Sequence, residues 1–438
     1  MRRVERSFWR NWTVDLLVLA LWVVVLFGAV TFPAYGDLLA YSDPKGLAKR
    51  GFGVNMASNA PGEVVVVWES GSSLLAQGFD SSGEPRGVVA EIPLVSISSP
   101  RLPAVGIDDR GRFALAWRYE TIFSDPGGPI GSFFLQLFDA QANPVSDIFQ
   151  PFAFELPVSE YPSLVMAGDG SFWVAARDGV MGSEASIFLR GFDSQGNPLT
   201  EPLQVSSPTQ RPSQAPLLAQ APDGRLAVLT SDCHYPTCTH PSLRAQFLDA
   251  LGAPLGEALE ITDQGFGYGL AWVPGQGFVA LWLRPADPEL PMRHQAFALE
   301  GRVFSEASLG AVFTVKGESD GEGVLFFDAD TGLGLGGKVA VDSLGNLVVA
   351  WEEVLVPLTE SGVYARALNA QWQAQGPIVE ISAGSGQRAR RPAVASLGPG
   401  RFSLAWSVIS IPFRIHLFEQ KFLVTDDDCL PASTALCP

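Results

Sequence analysis

The run GRFALAW at residues 111–117 decides the fold. A glycine, a β-rich run and a fixed end position recur along the chain. The copies are GEVVVVW (62–68), GSFWVAA (170–176), GRLAVLT (224–230), QGFVALW (276–282), GNLVVAW (345–351) and GRFSLAW (400–406). In the fifth copy Gln276 takes the glycine's place, with Gly275 and Gly277 beside it. The end positions Trp68, Trp117, Ala176, Thr230, Trp282, Trp351 and Trp406 lie 49 to 69 residues apart. A period of this size marks a repeat architecture rather than a row of separate domains.

Each copy has the same surroundings. A proline (Pro103, Pro162, Pro216 or Pro392) opens a short run eight residues before the glycine. Proline is tolerated at the first residue of a strand, where its missing N–H costs least. An Asp/Asn/Gly turn follows, as in Asp108-Asp109-Arg110-Gly111, and suits the left-handed backbone of tight hairpins. After the Gly-to-Trp strand and a variable loop comes a third run, such as SIFLRGFD (186–193), then a second turn, Asp193 to Pro198. A short fourth run closes the unit. No amphipathic helix period is present after residue 37.

Four short antiparallel strands per unit of about 50 residues is the signature of a propeller blade. A single such sheet has two apolar faces and cannot bury both. Radial stacking covers each face with the next sheet, and closing the ring removes the end faces. The expected fold is therefore all-β, a seven-bladed β-propeller of four-stranded antiparallel blades over residues 37–425. An N-terminal apolar helix (1–36) precedes it and a Cys-containing tail (426–438) follows. Residues 37–45 (DLLAYSDPK) stand before the first repeat, while the seventh lacks an obvious fourth strand. That pairing predicts a ring closed by mixing the two chain ends.

The repeat G-x-F-x-x-A-W followed by R/Q-x-F-D-x-x-G-x-P resembles the repeat of bacterial exported propeller proteins, over about residues 45 to 420. The resemblance implies a fold and export, and it implies no activity. Repeats five to seven depart from the second turn, as at Leu368-Asn369-Ala370.

Composition narrows the partners. The chain is 47% apolar and 17% charged, too apolar for disorder. A formal net charge of −17 with 29 Lys and Arg spread along the sequence argues against nucleic acid and against docking on an anionic membrane. At the N-terminus, Arg2, Arg3, Arg6 and Arg10 precede an uncharged stretch from Leu16 to Gly36. A basic start, an apolar core and small residues at Ala34 and Gly36 suit a signal peptide cleaved after Gly36. The stretch is also long enough for a retained anchor, the only membrane association expected. Both readings place the rest outside the cytoplasm, secreted or at the cell surface.

Cys233 and Cys238, and Cys429 and Cys437, form two closely spaced pairs. In an exported chain they are expected as two loop-stapling disulfides. A zinc site from Cys233, His234, Cys238 and His240 matches no standard spacing. No resident cofactor is expected. The one metal considered is calcium, on the partial loop pattern Asp328-Ala329-Asp330-Thr331-Gly332, which lacks the distal Glu of an EF-hand.

The recurrent Trp suggests wedges between blades more than a sugar-binding ring, because it occupies one equivalent strand end. Candidate ligand-binding residues lie just past those ends: Glu69, Arg118, Tyr119, Arg177, Asp178, Arg284, Glu352 and Glu353. The loops that follow differ in length, the longest being Tyr119–Gly131 and Glu352–Gly362, and variable loops on a rigid scaffold are where binding concentrates. No Ser-His-Asp order, HExxH or phosphate-cradling glycine loop is present. The expected role is an exported binding or scaffold module for an extracellular protein or glycan. The alternative is an extracytoplasmic hydrolase or lyase using carboxylates near the channel, calcium-assisted.

Overall fold

The computed structural model describes residues 38–40, 45–48, 52–70, 73–92, 98–121, 131–153, 162–177, 186–206, 216–232, 242–287, 297–318, 324–325, 338–355, 360–382, 388–410 and 414–424. Among them every regular element is a strand. The expected N-terminal helix, all four cysteines, Asp178, the calcium candidate 328–332 and the tail lie outside the described residues.

Strands β1 (Leu38–Ala40) and β2 (Lys45–Ala48) come first. A sheet follows of β3 (Phe52–Ser58), β4 (Val64–Ser70), β5 (Ser73–Phe79) and β6 (Pro85–Ile92). Next come β7 (Ser98–Ile107), β8 (Phe113–Thr121) and β9 (Gly131–Phe138), then β10 (Ser163–Met166), β11 (Phe172–Arg177), β12 (Ile187–Phe192) and β13 (Leu203–Gln204). A further sheet holds β14 (Leu217–Gln220), β15 (Leu226–Asp232), β16 (Ser242–Leu248) and β17 (Leu259–Thr262). Another holds β18 (Phe266–Val273), β19 (Gly277–Pro285), β20 (Phe297–Ser305) and β21 (Ser308–Lys316). In the next, β22 (Val324–Leu325) and β23 (Val339–Val341) both pair with β24 (Leu347–Leu355), followed by β25 (Glu360–Leu368) and β26 (Ala374–Glu380). The last contains β27 (Arg388–Gly398), β28 (Arg401–Ser410) and β29 (Arg414–Val424). All these pairings are antiparallel meanders, and the fold is an all-β propeller.

The expectation of seven uniform four-stranded blades is corrected. Six sheets reach four or five strands, while β7–β8–β9 stops at three. Its fourth position is reduced to isolated bridges, Leu135 with Phe149 and Phe138 with Pro144. In the segment that would fill it, PVSDIFQP (144–151), Pro151 stands where Val205 of the next sheet donates its N–H to the Ile187 carbonyl, and a proline cannot donate to a ladder. The Ser146 hydroxyl accepts the Leu137 N–H at 3.0 Å, as the Thr200 hydroxyl accepts that of Gly191 at 3.1 Å in the next sheet.

Two features close the ring. The inner strands β3, β7, β10, β14, β18, β23 and β27 neighbour one another in order, and β27 returns to β3. At the outer edge of the last sheet β1 pairs with β29 (Leu38 opposite Val424), and β2 does so further along (Lys45 opposite Glu419). The segment before the first repeat thus supplies the strand position that the seventh repeat lacks.

The core lies between sheets. One cluster joins Val65, Val67 and Leu74 to Phe113, Leu115 and Trp117 of the next sheet. Another returns from Ala393, Ala395 and Ala405 to Val64, Val66 and Trp68. Because both faces are covered, β4 is buried from Val64 to Glu69 instead of alternating. Trp117, Trp282 and Trp351 are among the largest fully buried side chains, and Trp117 stacks on Phe134 at 6.3 Å. Packing, as the equivalent strand-end position suggested, is what these indoles do.

The R/Q-x-F-D motif also has a structural use. Arg190 donates to the Thr200 carbonyl at 3.1 Å and to the Pro151 carbonyl at 2.9 Å. Arg302 reaches the Ile261 carbonyl at 2.7 Å, and Arg366 the Val315 carbonyl at 2.8 Å. Each ties its own third strand to the preceding sheet.

Candidate functional site

The inner strands surround a central cavity of about 350 Å³, to which all of them contribute. Most of the lining is apolar side chain and backbone; the polar side chains include Asn55, Gln220, Tyr268 and Lys338. No Asp or Glu is among its described lining residues.

At the end where the second strands finish, the lining changes character. Tyr268 is buried and donates from its hydroxyl to the Ala350 carbonyl at 2.8 Å. Lys338 Nζ lies 4.5 Å from the centroid of the Tyr268 ring, within cation–π range. Burial, and then the nearby Glu352 charge, push the Tyr268 phenol well above its usual range. Glu352 sits at the seam with the next sheet. Its Oε1 is 3.4 Å from Arg390 Nε, and its Oε2 accepts the Arg391 backbone N–H at 3.2 Å. Burial raises the Glu352 carboxyl above the ordinary range, against the opposing pull of Arg390, Arg391 and Lys338.

The backbone explains why these groups converge. β27 carries a bulge between Arg390 and Ala393, and Arg391 within it adopts φ 53°. β3 bulges at the equivalent place between Phe52 and Asn55, where Gly53 has φ 60°. Bulges re-aim side chains at sheet rims, and a non-glycine residue at positive φ persists only when its surroundings hold it. At Arg391 the Glu352 carboxylate, bound to its N–H, is one such restraint. At Gly53 a side chain would meet the Glu69 carboxylate, 2.8 Å from an ideal Cβ.

The candidate residues fall into distinct settings. Glu69, Arg118, Arg177 and Glu353 are buried, Arg177 completely. They are wall residues at the ends of the second strands. Glu353 accepts Trp351 Nε1 at 2.8 Å and stands 3.8 Å from Lys316 Nζ, facing the seam between β21 and β24. Arg284 is partly exposed and paired with Glu300 at 2.8 Å and Glu318 at 2.9 Å; the Glu300 bond in particular raises its pKa. Tyr119 belongs to β8, but its side chain lies outside the described residues, as does Asp178 altogether. Among the described candidates, only Glu352 joins the cluster at the cavity mouth.

Tyr268, Lys338, Arg390 and Arg391 were missed. Arg390 and Arg391 left a trace, standing directly before the strand-opening Pro392 as Arg101 and Leu102 stand before Pro103. Lys338 follows the longest insertion, where the repeat phase is lost, and had no such signal. Among the described residues no group of three or more His, Cys, Asp or Glu is placed to hold a metal, and no helix is long and apolar enough to cross a membrane.

No family model and no curated protein matches the chain. Solved structures similar to it include a protein of unknown function from Dyadobacter fermentans, with 10% identity and a TM-score of 0.49 over 75% of this chain and 96% of that one. A polysaccharide lyase of the ulvan lyase family PL25 is similar at 9% identity and a TM-score of 0.48, over 89% of this chain and 96% of that one. The α-L-arabinanase of Penicillium chrysogenum is similar at 13% identity and a TM-score of 0.44, over 74% and 96%. At these values nothing about activity transfers to this chain.

Proposed function

We propose that the protein is an exported binding module whose ligand, a glycan or an extracellular protein segment, docks at the cavity mouth where the second strands end. The observation that carries this reading is the Glu352–Arg390 pair beside Tyr268 and Lys338. It gives a preformed set of donors and acceptors on three adjacent sheets, opening onto a cavity of ligand size. Export rests on the Arg-flanked apolar stretch before residue 37. Probing glycan and cell-surface protein arrays with the full-length chain, with and without calcium, tests the reading. Retention of a ligand, lost in Arg390→Gln, is expected; retention unchanged in that variant contradicts the site.

A hydrolase or lyase is the second reading, favoured by the raised Glu352 carboxyl, which suits a general acid. Hydrolysis by paired carboxylates needs a second one converging from about 5–9.5 Å. The adjacent Glu353 cannot supply it, because successive residues of a strand face opposite sides and Glu353 points to the Lys316 seam. Binding therefore ranks first.

A further inference from the structure

Three residues break the repeat's own pattern at the turn end of the ring, opposite the mouth described above: Trp272 packs on one side of the β18–β21 sheet, Trp372 on the other, and Gln276 borders the cavities beside both. Trp272 stands four residues before the turn position, where the other repeats have Ser58, Ile107, Met166, Gln220, Val341 and Ser396. Gln276 replaces the turn glycine itself. Trp372 occupies the second-turn position filled by Gly83, Ala142, Gly196 and Gly252 elsewhere, and it does so at φ 66°. A bulky residue held in that backbone region is an outlier that asks for a reason.

The reason is in the cavities. Trp272 lines both the central cavity and a neighbouring one of about 320 Å³. Gln276 lines that second cavity and also a third, of about 590 Å³, whose far wall is Trp372. Gln276 is fixed in place by donating from Nε2 to the Ala370 carbonyl at 2.9 Å across the sheet boundary. The indoles are fixed too. Phe278 meets Trp272 edge-on at 5.0 Å, and Phe313 backs Trp372 in a near-parallel stack at 5.2 Å. Both indoles are only half-buried.

We infer that Trp272, Gln276 and Trp372 form a binding groove for a neutral oligosaccharide. Two rigid indoles separated by hydrogen-bonding groups suit pyranose rings, whose C–H faces stack on an aromatic plane while their hydroxyls need donors and acceptors at the rim. Those rim groups are Gln276, Gln371, Arg225 and Glu306. A wholly apolar peptide would cover these groups and offer their remaining donors and acceptors no partner. An anionic saccharide is disfavoured as well. The single guanidinium, Arg225, is already balanced by Asp223 and Glu306, each at 2.8 Å, and the chain as a whole is acidic. This site does not depend on the one at the cavity mouth.

The test is isothermal titration of the full-length chain with cellohexaose, xylohexaose, laminarihexaose and mannohexaose, and with an oligogalacturonate and an apolar hexapeptide for contrast. Trp372→Gly is the chosen variant, because glycine is the residue other repeats place in this backbone and the turn survives the loss of the indole. Binding of at least one neutral hexasaccharide is expected, weakened at least about tenfold in Trp372→Gly and in Trp272→Ala, and unchanged in Leu251→Ser, at an exposed turn residue that lines none of these cavities. Failure of all four neutral probes overturns the inference. So does binding that Trp372→Gly leaves intact, or tighter binding of the oligogalacturonate or the peptide.

Discussion

Lys421 in the last strand donates from Nζ to the carbonyl of Ser82 at 2.8 Å, across 339 residues of sequence. The contact ties the closing sheet to the first full one at the same seam where β1 and β2 complete the edge of β29. A chain beginning at residue 49 loses both strands and leaves that edge open. It should unfold at a lower temperature than the full chain and self-associate, since an unpaired edge invites another strand. Calorimetry with size-exclusion chromatography checks this; an unchanged melting temperature in a monomeric truncation would show that the seam is held by other contacts.

Burial between sheets sets the scale for the indole positions. Trp351 is 0% exposed and gives its Nε1–H to Glu353. Trp351→Ala should cost about 3–5 kcal/mol, the range for a large buried aromatic. Chemical denaturation measures the loss, and a cost below about 1 kcal/mol would mean the sheets repack without the wedge.

Turn glycines should divide by what surrounds them. At Gly62 the backbone has φ 85°, and a Cβ would sit 2.5 Å from the Leu397 carbonyl oxygen of the neighbouring sheet. At Gly256 φ is 88°, but nothing lies within 4 Å. Gly256→Ala therefore carries only the left-handed penalty of about 1–2 kcal/mol, whereas Gly62→Ala adds a backbone clash and should exceed it. Equal losses in paired thermal melts would remove the seam contact from the explanation.

The pH behaviour follows from Glu352. Its folded-state pKa is raised, so the fold favours the protonated carboxyl. That contribution is fully present below the ordinary glutamate pKa, about 4.3, and is lost as pH rises through the folded-state value. Glu352→Gln keeps a neutral side chain at every pH. It should melt above the natural protein at pH 7.5, with the gap closing near pH 4. A variant less stable at pH 7.5 would show that the Arg390 pairing outweighs burial.

Much of the architecture was legible because it is periodic. Gly-to-Trp runs such as 111–117 became second strands, the Asp108 and Asp193 turns carry the expected left-handed glycines, and the early DLLAYSDPK segment feeds the last sheet. The irregular sheet β7–β9 was not legible, because its missing strand reflects Pro151, which stands where Val205 of the next sheet donates its N–H to the Ile187 carbonyl. The candidate site was read in part. Strand-end position located Glu352, but burial of Arg118 and Arg177 is a property of the stacked neighbours, which no single repeat encodes. Lys338 reaches Tyr268 from the next sheet, a pairing set by the stacking of consecutive sheets rather than by spacing.

The claim at the centre of this account is that the cavity mouth holds a ligand and does not transform it. Titrating the full-length chain with whatever the arrays retain, and then recovering that ligand for mass spectrometry, tests it directly. Saturable binding near one equivalent, an intact ligand, and weakening of at least about tenfold in Arg390→Gln are predicted. Cleaved ligand, or binding indifferent to Arg390, would contradict it.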